Sequence, residues 1–402
     1  MQNEYMERLV ALGEAFTPGS PVNNQDLFSG RIEQIQKILG GVTQRGYHVV
    51  LYGERGVGKT SLANFTSRIY SNSPGVLIAK VTCDAGDNFT SIWKKAFKEI
   101  TYTTPKAGIG FSPTPEATVA ALSDFLPDVT NPDDVRRMLA SLAADKTVLI
   151  ILDEYDRIID KLTSTLISDT IKVLSDNGTN ATLMLIGVAD SVSDLIEGHQ
   201  SIERALVQIP MPRMSNEEIG QIIDKGAGVL KMHVAPAARS MIVKLSQGVP
   251  YVAHLLGLHC FKSAIAAGSS SVSTDNVKLG ISASLDQWHA SIKKTYYDAT
   301  KSPQPGNIYR EVLLACALSD VDELGYFTAA NVRTPLRDIT GREYEIPNFA
   351  AHLKQFSEEQ RGHVLAREGT QRRWRYRFTS PMMRPYIIMK GHTDGLWDHD
   401  GV

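Results

Sequence analysis

The chain has 402 residues, of which 43% are hydrophobic, and a formal net charge of −2. A chain of this length is too long for a single hydrophobic core and is predicted to form two or three globular domains. Three widely separated cysteines exclude a disulfide framework and a cysteine-based metal site, and they favour a reducing, cytoplasmic location. No apolar run approaches the roughly 20 residues of a membrane-spanning helix, and the acidic N-terminus is unlike a signal peptide, so we expect no membrane partner.

In chain order, residues 1–27 predict a short amphipathic helix and a connector rich in proline, glycine and asparagine. Helical spacing at 31–45 precedes "YHVVLYGERGVGKTSLANF", which predicts a strand, a glycine-rich turn and a helix. Residues 101–132, rich in threonine, proline and glycine, are expected to form an insertion or an exposed loop. Further strands, separated by helices, are predicted at 75–84, 147–156, 181–190 and 205–212. This alternation predicts an α/β fold with a parallel sheet covered on both faces.

After residue 212 the pattern becomes helical, which predicts a small α-helical domain. Two prolines and a glycine in "KSPQPG", residues 301–306, indicate a linker. Beyond the linker, helices precede a β-hairpin, which is the order of a winged helix. The helical stretches before the linker lie at 215–230, 236–247, 250–266 and 275–298. The later elements are helices near 307–319 and 347–357, strands near 363–367 and 373–379, and a helix from 381.

Charge is distributed unevenly along the chain. Residues 361–390 hold eight lysines and arginines and a single acid, a local charge of +7 against −9 for the rest of the chain. A basic end on an acidic body predicts an anionic partner for that end alone. Inside it, "RRWRYRF" alternates arginines with aromatic residues. On a strand, Arg373, Arg375 and Arg377 would share one face and the aromatic rings would share the other.

The segment "GERGVGKT" matches the pattern GxxxxGK[ST] between a strand and a helix, the context that supports a phosphate-binding loop rather than a chance glycine-rich turn. Glycines let backbone N–H groups turn toward phosphate oxygens, and the helix N-terminus adds partial positive charge. Lys59 is expected to reach the β- and γ-phosphates of ATP, and Thr60 to hold Mg²⁺. The predicted ATP- or ADP-binding residues of this segment are Gly53, Glu54, Arg55, Gly56, Val57, Gly58, Lys59, Thr60 and Ser61.

The apolar run "VLIILDE" should end beside that loop, because open α/β sheets bind ligands at the carboxyl ends of their strands. Asp153 would orient Mg²⁺ through water, and Glu154 would polarise the attacking water. The alternative for both is a solvated acidic strand end. Asp156 and Arg157 are interpreted as a local ion pair or as surface charges.

Two later residues are weaker catalytic candidates. Asp190 ends the strand "IGVAD" and would position water near the γ-phosphate if that strand lies between the two motif strands. Its alternative is the N-cap of a following helix. Arg204, in "SIER", would stabilise transition-state charge at the nucleotide of a neighbouring subunit. A surface salt bridge is the alternative for Arg204.

In this order the motifs resemble those of the AAA+ ATPase superfamily, and within it the origin-recognition-like and initiator-like clade. "FSGR" is similar to the clade's Gly-Arg motif beside the adenine, which implies nucleotide contacts for Gly30 and Arg31. "IGVAD" resembles its sensor-1 strand end, and "SIER" its arginine-finger region. The resemblance implies four segments: a helix and connector at 1–27, a P-loop AAA+ core at 28–212, an α-helical lid at 213–300, and a winged helix with a basic wing and tail at 301–402.

One departure from that clade concerns the lid. Tyr251 stands where those initiators usually carry a nucleotide-contacting arginine, which argues against vigorous hydrolysis and favours a slow ATP-dependent switch. "GVP" resembles instead the Gly-x-Pro of STAND signalling ATPases and of some transposition-associated AAA+ proteins. That resemblance implies that Pro250 packs against the base. The alternative is an ordinary helix start, since proline suits the first turn.

With a winged helix as context, the arginine face becomes part of the second wing strand. The predicted nucleic-acid-binding residues are Arg372, Arg373, Arg375 and Arg377, with Arg361, Arg367 and Arg384 as possible extensions. Contacts to phosphates would give salt-dependent DNA binding with weak sequence specificity. Docking on an acidic protein and simple solvation are the alternatives for this arginine face.

Two functions therefore stand open. The first is an ATPase that couples ATP and Mg²⁺ to homo-oligomerisation and DNA binding. The second is a STAND-like signalling ATPase, or the ATPase subunit of a two-protein transposition or antiviral-defence module, whose winged helix binds a separate effector protein.

Overall fold

The computed structural model describes residues 2–20, 30–73, 75–106, 116–196, 202–322, 324–370 and 373–397. Two compact units are distinguished. The core unit comprises Arg31–Glu54 and Gly58–Met211, and the helical unit comprises Met1–Gly30, Arg55–Val57 and Pro212–Val402. Helix α1 (Gln2–Ala15) opens the helical unit. Within the described ranges, no helix combines the length and the apolar surface that crossing a membrane demands.

The core unit is built of strands alternating with helices. Five of its strands form one parallel sheet, and helices alternate with those strands along the chain. The elements, in chain order, are α2 (Ile32–Thr43), β1 (His48–Gly53), α3 (Lys59–Ser71), β2 (Val76–Thr82), α4 (Phe89–Lys98), β3 (Thr101–Lys106), β4 (Glu116–Ala121), α5 (Pro132–Leu142), β5 (Thr147–Asp153), α6 (Lys161–Asp176), β6 (Ala181–Val188) and β7 (Leu206–Pro210).

The parallel sheet has the strand order β2-β5-β6-β1-β7. Every residue of β5 from 148 to 152 is buried, because helices cover both faces of a sheet of this kind. Strand β6 pairs with β5 on one side and with β1 on the other, so the predicted α/β fold and the predicted insertion of the "IGVAD" strand are both confirmed. This order brings the carboxyl ends of β1, β5 and β6 to one edge of the sheet, where the predicted nucleotide motifs lie.

The prediction of a loop at 101–132 is wrong in part. Strands β3 and β4 form an antiparallel pair, and α5 begins at Pro132. Threonine and valine favour extended backbone, whereas the proline and glycine content of the same stretch indicated a loop. Composition alone therefore could not separate a small hairpin from an irregular insertion.

The helical unit continues after residue 212 with short strands set between helices. His233–Val234 and Ser271–Val272 pair in parallel. The last three strands form an antiparallel sheet in which Arg375–Phe378 lies between Phe327–Thr328 and Leu365–Glu368. The elements are α7 (Asn216–Leu230), β8 (His233–Val234), α8 (Pro236–Ser246), α9 (Pro250–Ala266), β9 (Ser271–Val272), α10 (Thr274–Gln287), α11 (Ala290–Thr300), α12 (Tyr309–Leu318), β10 (Phe327–Thr328), α13 (Ala329–Thr340), α14 (Ile346–Phe356), β11 (Leu365–Glu368), β12 (Arg375–Phe378) and α15 (Met383–Thr393).

Two features of the helical unit differ from the sequence prediction. The single helical stretch expected at 275–298 is two helices, because Trp288 adopts an extended conformation at the end of α10 and packs its ring 5.6 Å from that of Tyr386. Strand β10 and helix α13 were not predicted. A two-residue strand carries almost no periodic signal, and α13 contains Pro335, a residue that usually argues against a helix interior.

Helix α1 is anchored in the core of the helical unit by Phe16, which directly follows the helix. Phe16 is 1% exposed. Its ring lies against two glycines, Gly226 of α7 and Gly257 of α9, where a Cβ atom would come within 2.2 Å and 2.4 Å of the ring. The absence of a side chain at both positions thus creates the space that the ring fills.

Candidate nucleotide-binding site

The loop between β1 and α3 has the backbone of a phosphate-binding loop. Gly53, Gly56 and Gly58 have φ values of 148°, 84° and 94°, which favour glycine. At Gly53 a Cβ atom would also lie 2.5 Å from the carbonyl oxygen of Met211, so no larger residue fits there. Helix α3 begins at Lys59, and the backbone N–H groups of its first turn can donate hydrogen bonds to an anion.

Lys59 folds back over this loop. Its ammonium group donates hydrogen bonds to the carbonyl oxygens of Gly53, at 2.8 Å, and of Glu54, at 2.7 Å. The side chain is largely buried. Both carbonyl partners are neutral, so an approaching phosphate would attract the ammonium group more strongly than they do.

Asp153, at the end of β5, is the central carboxylate of the site. Its Oδ1 atom accepts hydrogen bonds from the Thr60 hydroxyl, at 3.2 Å, and from the backbone N–H of Glu154, at 3.0 Å. Its Oδ2 atom lies 3.0 Å from the ammonium group of Lys80, and the Asp153 side chain is 4% exposed. The predicted pair Thr60 and Asp153 is therefore brought together from α3 and β5.

The donor set fits magnesium. Hydroxyl and carboxylate oxygens are the ligands that Mg²⁺ prefers, usually together with waters and substrate phosphates. In the described ranges, no cluster of three or more histidine, cysteine or carboxylate side chains could hold a metal ion unaided. Oxygens of a nucleotide would therefore complete the shell around an ion held at Thr60 and Asp153.

Glu154 follows Asp153 with φ 54°, a left-handed conformation that turns the chain sharply at the strand end. Its Oε2 atom lies 2.7 Å from Nη1 of Arg157, and this hydrogen bond raises the pKa of the Arg157 guanidinium above its ordinary value. Asp156 instead accepts a hydrogen bond from the backbone N–H of Val188, at 2.8 Å. The ion pair of this turn thus joins Arg157 to the candidate catalytic glutamate, not to Asp156.

Asp190 lies two residues beyond the end of β6 and is exposed. The cap of the following short 3₁₀ turn is Ser191, whose backbone N–H donates to Asp194 at 2.9 Å. The alternative interpretation of Asp190 as a helix N-cap is therefore wrong. Strand order places the end of β6 between the ends of β1 and β5, beside the phosphate-binding loop.

Arg204 precedes β7 in a 3₁₀ turn, and its side chain is 83% exposed. Its Nη2 atom lies 3.1 Å from Oδ1 of Asp176 at the end of α6. Surface ion pairs of this kind contribute little free energy, so this contact does not prevent the guanidinium from binding elsewhere.

The residues predicted to contact the base occupy constrained positions. Gly30 has φ 68°, and a Cβ atom there would lie 2.4 Å from the Glu218 carboxylate. Arg31 is buried, with φ 64°, directly before α2. Pro250 is buried in the first turn of α9 and follows Gly248, which has φ 71°.

Tyr251, in the place of the missing lid arginine, packs inside the helical unit. Its ring stacks on His289 with centroids 5.9 Å apart and meets Trp288 edge to face at 6.3 Å. Burial raises the pKa of its hydroxyl. The side chain therefore serves the packing of α9 against the α10–α11 junction.

The arginine face of β12 is engaged by neighbouring groups. Arg375 lies 3.5 Å from Asp322 and 3.2 Å from Glu368, and its guanidinium covers the ring of Tyr326 at 4.7 Å. The guanidinium of Arg377 lies 4.8 Å from the centre of the same ring. Arg373 is exposed, and Arg372 lies outside the described residues.

The other face of β12 and the basic residues around it serve packing. Tyr376 and Phe378 are buried, each with its ring 6.1 Å from that of Phe327, as the alternation predicted. Arg367 covers the half-buried Trp374 at 4.2 Å. Three further basic side chains were expected to widen the patch. Arg361 and Arg384 instead donate to backbone carbonyls, Arg384 to those of Ala317 and Ser319.

Sequence reasoning missed Lys80, whose ammonium group contacts Asp153. The available signal was a lone charged residue inside the apolar run "VLIAKVT". A lysine in a buried strand requires a partner. The identity of that partner depends on the pairing of β2 with β5, which the sequence does not show.

Comparisons with known proteins agree with this geometry. Residues 42–196 match the model of a family described as "AAA domain". No curated protein gives a significant sequence match. The ORC2 protein of Aeropyrum pernix, solved as ADPNP–ADP complexes, is 15% identical, with a TM-score of 0.52 over 95% of this chain and 98% of that chain. A Walker-type ATPase of Pyrococcus abyssi is 14% identical, with a TM-score of 0.50 over 92% of this chain and 98% of that chain. The chain thus has the P-loop fold of AAA+ proteins, and the match to the AAA domain model extends over residues 42–196.

Proposed function

We propose that the protein is an AAA+ ATPase of the origin-recognition-like clade that binds ATP with Mg²⁺, hydrolyses it slowly, and couples its nucleotide state to oligomerisation and DNA binding. The observation that carries this proposal is the convergence of Lys59, Thr60 and Asp153 at the ends of β1 and β5. The fold likeness to the ORC2 protein, which was solved with ADPNP and ADP, supports the nucleotide class.

In this proposal the loop residues bind the phosphates. Gly53, Gly56 and Gly58 permit a backbone whose N–H groups surround phosphate oxygens, with Glu54, Arg55, Val57 and Ser61 contributing main-chain contacts. Lys59 exchanges its two carbonyl partners for β- and γ-phosphate oxygens. Thr60 and Asp153 hold Mg²⁺, which neutralises charge developing on the phosphates.

Hydrolysis requires Glu154 to polarise water, and the Arg157 pair restrains that carboxylate. The pair, at 2.7 Å through Oε2, draws the carboxylate toward Arg157 and so opposes its orientation toward water by the small free energy of an exposed ion pair. This cost, together with Tyr251 in the lid, supports slow turnover. Asp190 completes the water-positioning groups from the end of β6.

Coupling to other subunits and to the helical unit uses residues outside the phosphate loop. Arg204 is an exposed cation suited to a neighbouring subunit's γ-phosphate, and homo-oligomerisation follows from that role. In this proposal Gly30 and Arg31 lie by the adenine, and Pro250 packs against the base.

The DNA-binding part of the proposal assigns a winged helix to the elements α12, β10, α13, α14, β11 and β12, whose order is helix, strand, helix, helix, strand, strand. Arg373, with Arg372, would then lie at the wing and contact phosphates. Helix α14 would face the bases, and it offers few reading groups. Asn348 accepts from the backbone of Glu345, and His352 packs on Tyr309 with a pKa lowered by burial and by Arg361. Binding would therefore be salt-dependent and weakly specific for sequence.

A second candidate is favoured by one observation, the two carboxylates that hold Arg375. A wing in which Arg375 is neutralised by carboxylates of the same chain suits a protein partner better than a polyanion. In that case the chain is a STAND-like signalling ATPase, or the ATPase subunit of a two-protein transposition or antiviral-defence module with a separate effector.

The test measures ATP hydrolysis and particle size, with and without duplex DNA, at about 50 mM and about 200 mM salt. The proposal expects slow Mg²⁺-dependent hydrolysis, a larger particle with ATP, and DNA stimulation that fades at the higher salt. Indifference to DNA together with a nucleotide-dependent complex with a co-purified protein would support the second candidate. A folded protein that binds no ATP would overturn both.

A further inference from the structure

Lys80 places a second positive charge at the predicted magnesium site. It is the single charged residue of β2, and its ammonium group lies 3.0 Å from Oδ2 of Asp153. The Lys80 side chain is 27% exposed and that of Asp153 is 4% exposed, so solvent screens the pair weakly.

The lysine is held from two directions. Its ammonium group also donates to the side-chain oxygen of Asn64 on α3, at 2.6 Å. The other carboxylate oxygen of Asp153, Oδ1, accepts a hydrogen bond from the hydroxyl of Thr60, which lies on the same helix as Asn64. The ammonium group is thus fixed beside the carboxylate by α3 and β2 together and does not simply extend toward solvent.

A purely structural role for Lys80 explains little, because β2 is already secured to β5. The two strands pair in register from Val76 with Thr147 to Thr82 with Asp153. The backbone N–H of Cys83 then donates to the carbonyl oxygen of Asp153 at 2.8 Å. Backbone hydrogen bonds therefore hold β2 against β5 as far as Asp153, and the pairing needs no side-chain contact.

We propose that Lys80 is a positioning residue that serves as the counter-ion of Asp153 and lowers the affinity of the site for Mg²⁺. This inference rests on the proposed nucleotide function of the same site. A carboxylate that already neutralises an ammonium group attracts a divalent cation less, and the ammonium group repels that cation directly. The charge of Lys80 then sets the range of free Mg²⁺ concentration over which nucleotide binding changes.

The experiment measures equilibrium binding of a fluorescent ADP analogue to the full chain while free Mg²⁺ is titrated. The variants are Lys80→Met, Lys80→Gln and Lys80→Arg, with Lys146→Met as a matched control, since Lys146 is an exposed lysine directly before β5. We expect the Mg²⁺ midpoint to fall about tenfold in Lys80→Met and Lys80→Gln. Lys80→Arg and Lys146→Met should keep the original midpoint.

Thermal unfolding supplies a second readout. Without nucleotide, Lys80→Met should melt below the original protein, because Asp153 loses its cation. Mg²⁺ with ADP should then raise the melting temperature of this variant by more than it raises that of the original. Lys80→Gln can still hydrogen-bond to Asp153 and Asn64, and it keeps the test decisive if Lys80→Met does not fold.

Two outcomes overturn different claims. An unchanged or raised Mg²⁺ midpoint in Lys80→Gln, with ADP still bound, overturns this inference and leaves the proposed function standing. Absence of ADP binding by the unaltered chain at every Mg²⁺ concentration overturns the proposed function, and this inference with it.

Discussion

The phosphate loop and strand β12 both present cationic side chains, but the partners described above for Lys59 and for Arg375 differ in charge. Lys59 is bonded to two neutral carbonyls, whereas Arg375 lies between two carboxylates and over an aromatic ring. An incoming phosphate displaces a carbonyl at small cost. At Arg375 it must compete with Asp322 and Glu368.

This difference teaches that a count of positive charges predicts anion binding where the fold leaves those charges with neutral partners. The phosphate loop satisfies that condition through local backbone geometry. Strand β12 fails that condition at Arg375, whereas Arg373, just before the strand, is exposed. The predictions below test the two regions against each other.

The largest effect is expected from Glu154→Gln. Loss of the water-polarising carboxylate should lower ATP turnover about 10²- to 10⁴-fold while nucleotide binding persists. Single-turnover hydrolysis and equilibrium binding measure the two quantities. Glu33→Gln, at an exposed glutamate of α2, is the control. Unchanged turnover in Glu154→Gln would remove Glu154 from its role.

A smaller effect is expected from Lys59→Ala, which removes charge-assisted hydrogen bonds to phosphate. The affinity for ATP should fall about 10- to 100-fold, as measured by titration with a fluorescent analogue. Lys37→Ala, at an exposed lysine paired with Glu33, should leave the affinity unchanged. Equal affinities in the two variants would contradict the assigned phosphate site.

The arginines of β12 and of the segment just before it are tested by comparing Arg373→Ala with Arg375→Ala. If DNA phosphates are contacted, Arg373→Ala should reduce the slope of log affinity against log salt by about 1. Arg375→Ala should reduce it by less, because Asp322 and Glu368 already neutralise that side chain. Duplex binding across a salt series measures both slopes. A larger decrease of the slope in Arg375→Ala than in Arg373→Ala would contradict this order. It would show that Asp322 and Glu368 release Arg375 when DNA binds.

The smallest effect concerns Arg157→Ala, which frees Glu154 from its ion pair. Turnover should rise about two- to fivefold, the range expected from an exposed pair. Steady-state phosphate release measures the change, with Arg137→Ala, another exposed ion-paired arginine, as the control. A fall in turnover would mean that Arg157 assists the reaction.

The sequence predicted the parallel sheet and the phosphate loop because both depend on local signals. A buried strand reads as an apolar run, and the spacing of Gly53, Gly58 and Lys59 is fixed by one turn of chain. The edge at which Asp153 meets Thr60 followed from the general position of ligands in parallel sheets.

Features that depend on distant residues could not be predicted in this way. Asp322 lies 53 residues before Arg375, and Lys80 reaches Asp153 across a strand pairing. The partners of Arg384 are backbone carbonyls more than 60 residues away. Charge and spacing do not encode such pairings, so the sequence overestimated the number of arginines available to a ligand.

The seat of Phe16 between Gly226 and Gly257 has a practical consequence for how the molecule can be divided. The first segment of the chain packs with residues that follow the core in sequence, so the helical unit is discontinuous. A version shortened to start after residue 16 would leave a ring-sized hole between α7 and α9, and losses of buried aromatic rings cost about 3–5 kcal/mol. Gly226→Ala would place a methyl group against the same ring from the side of α7. Truncation and this substitution should therefore both destabilise the packing between α7 and α9.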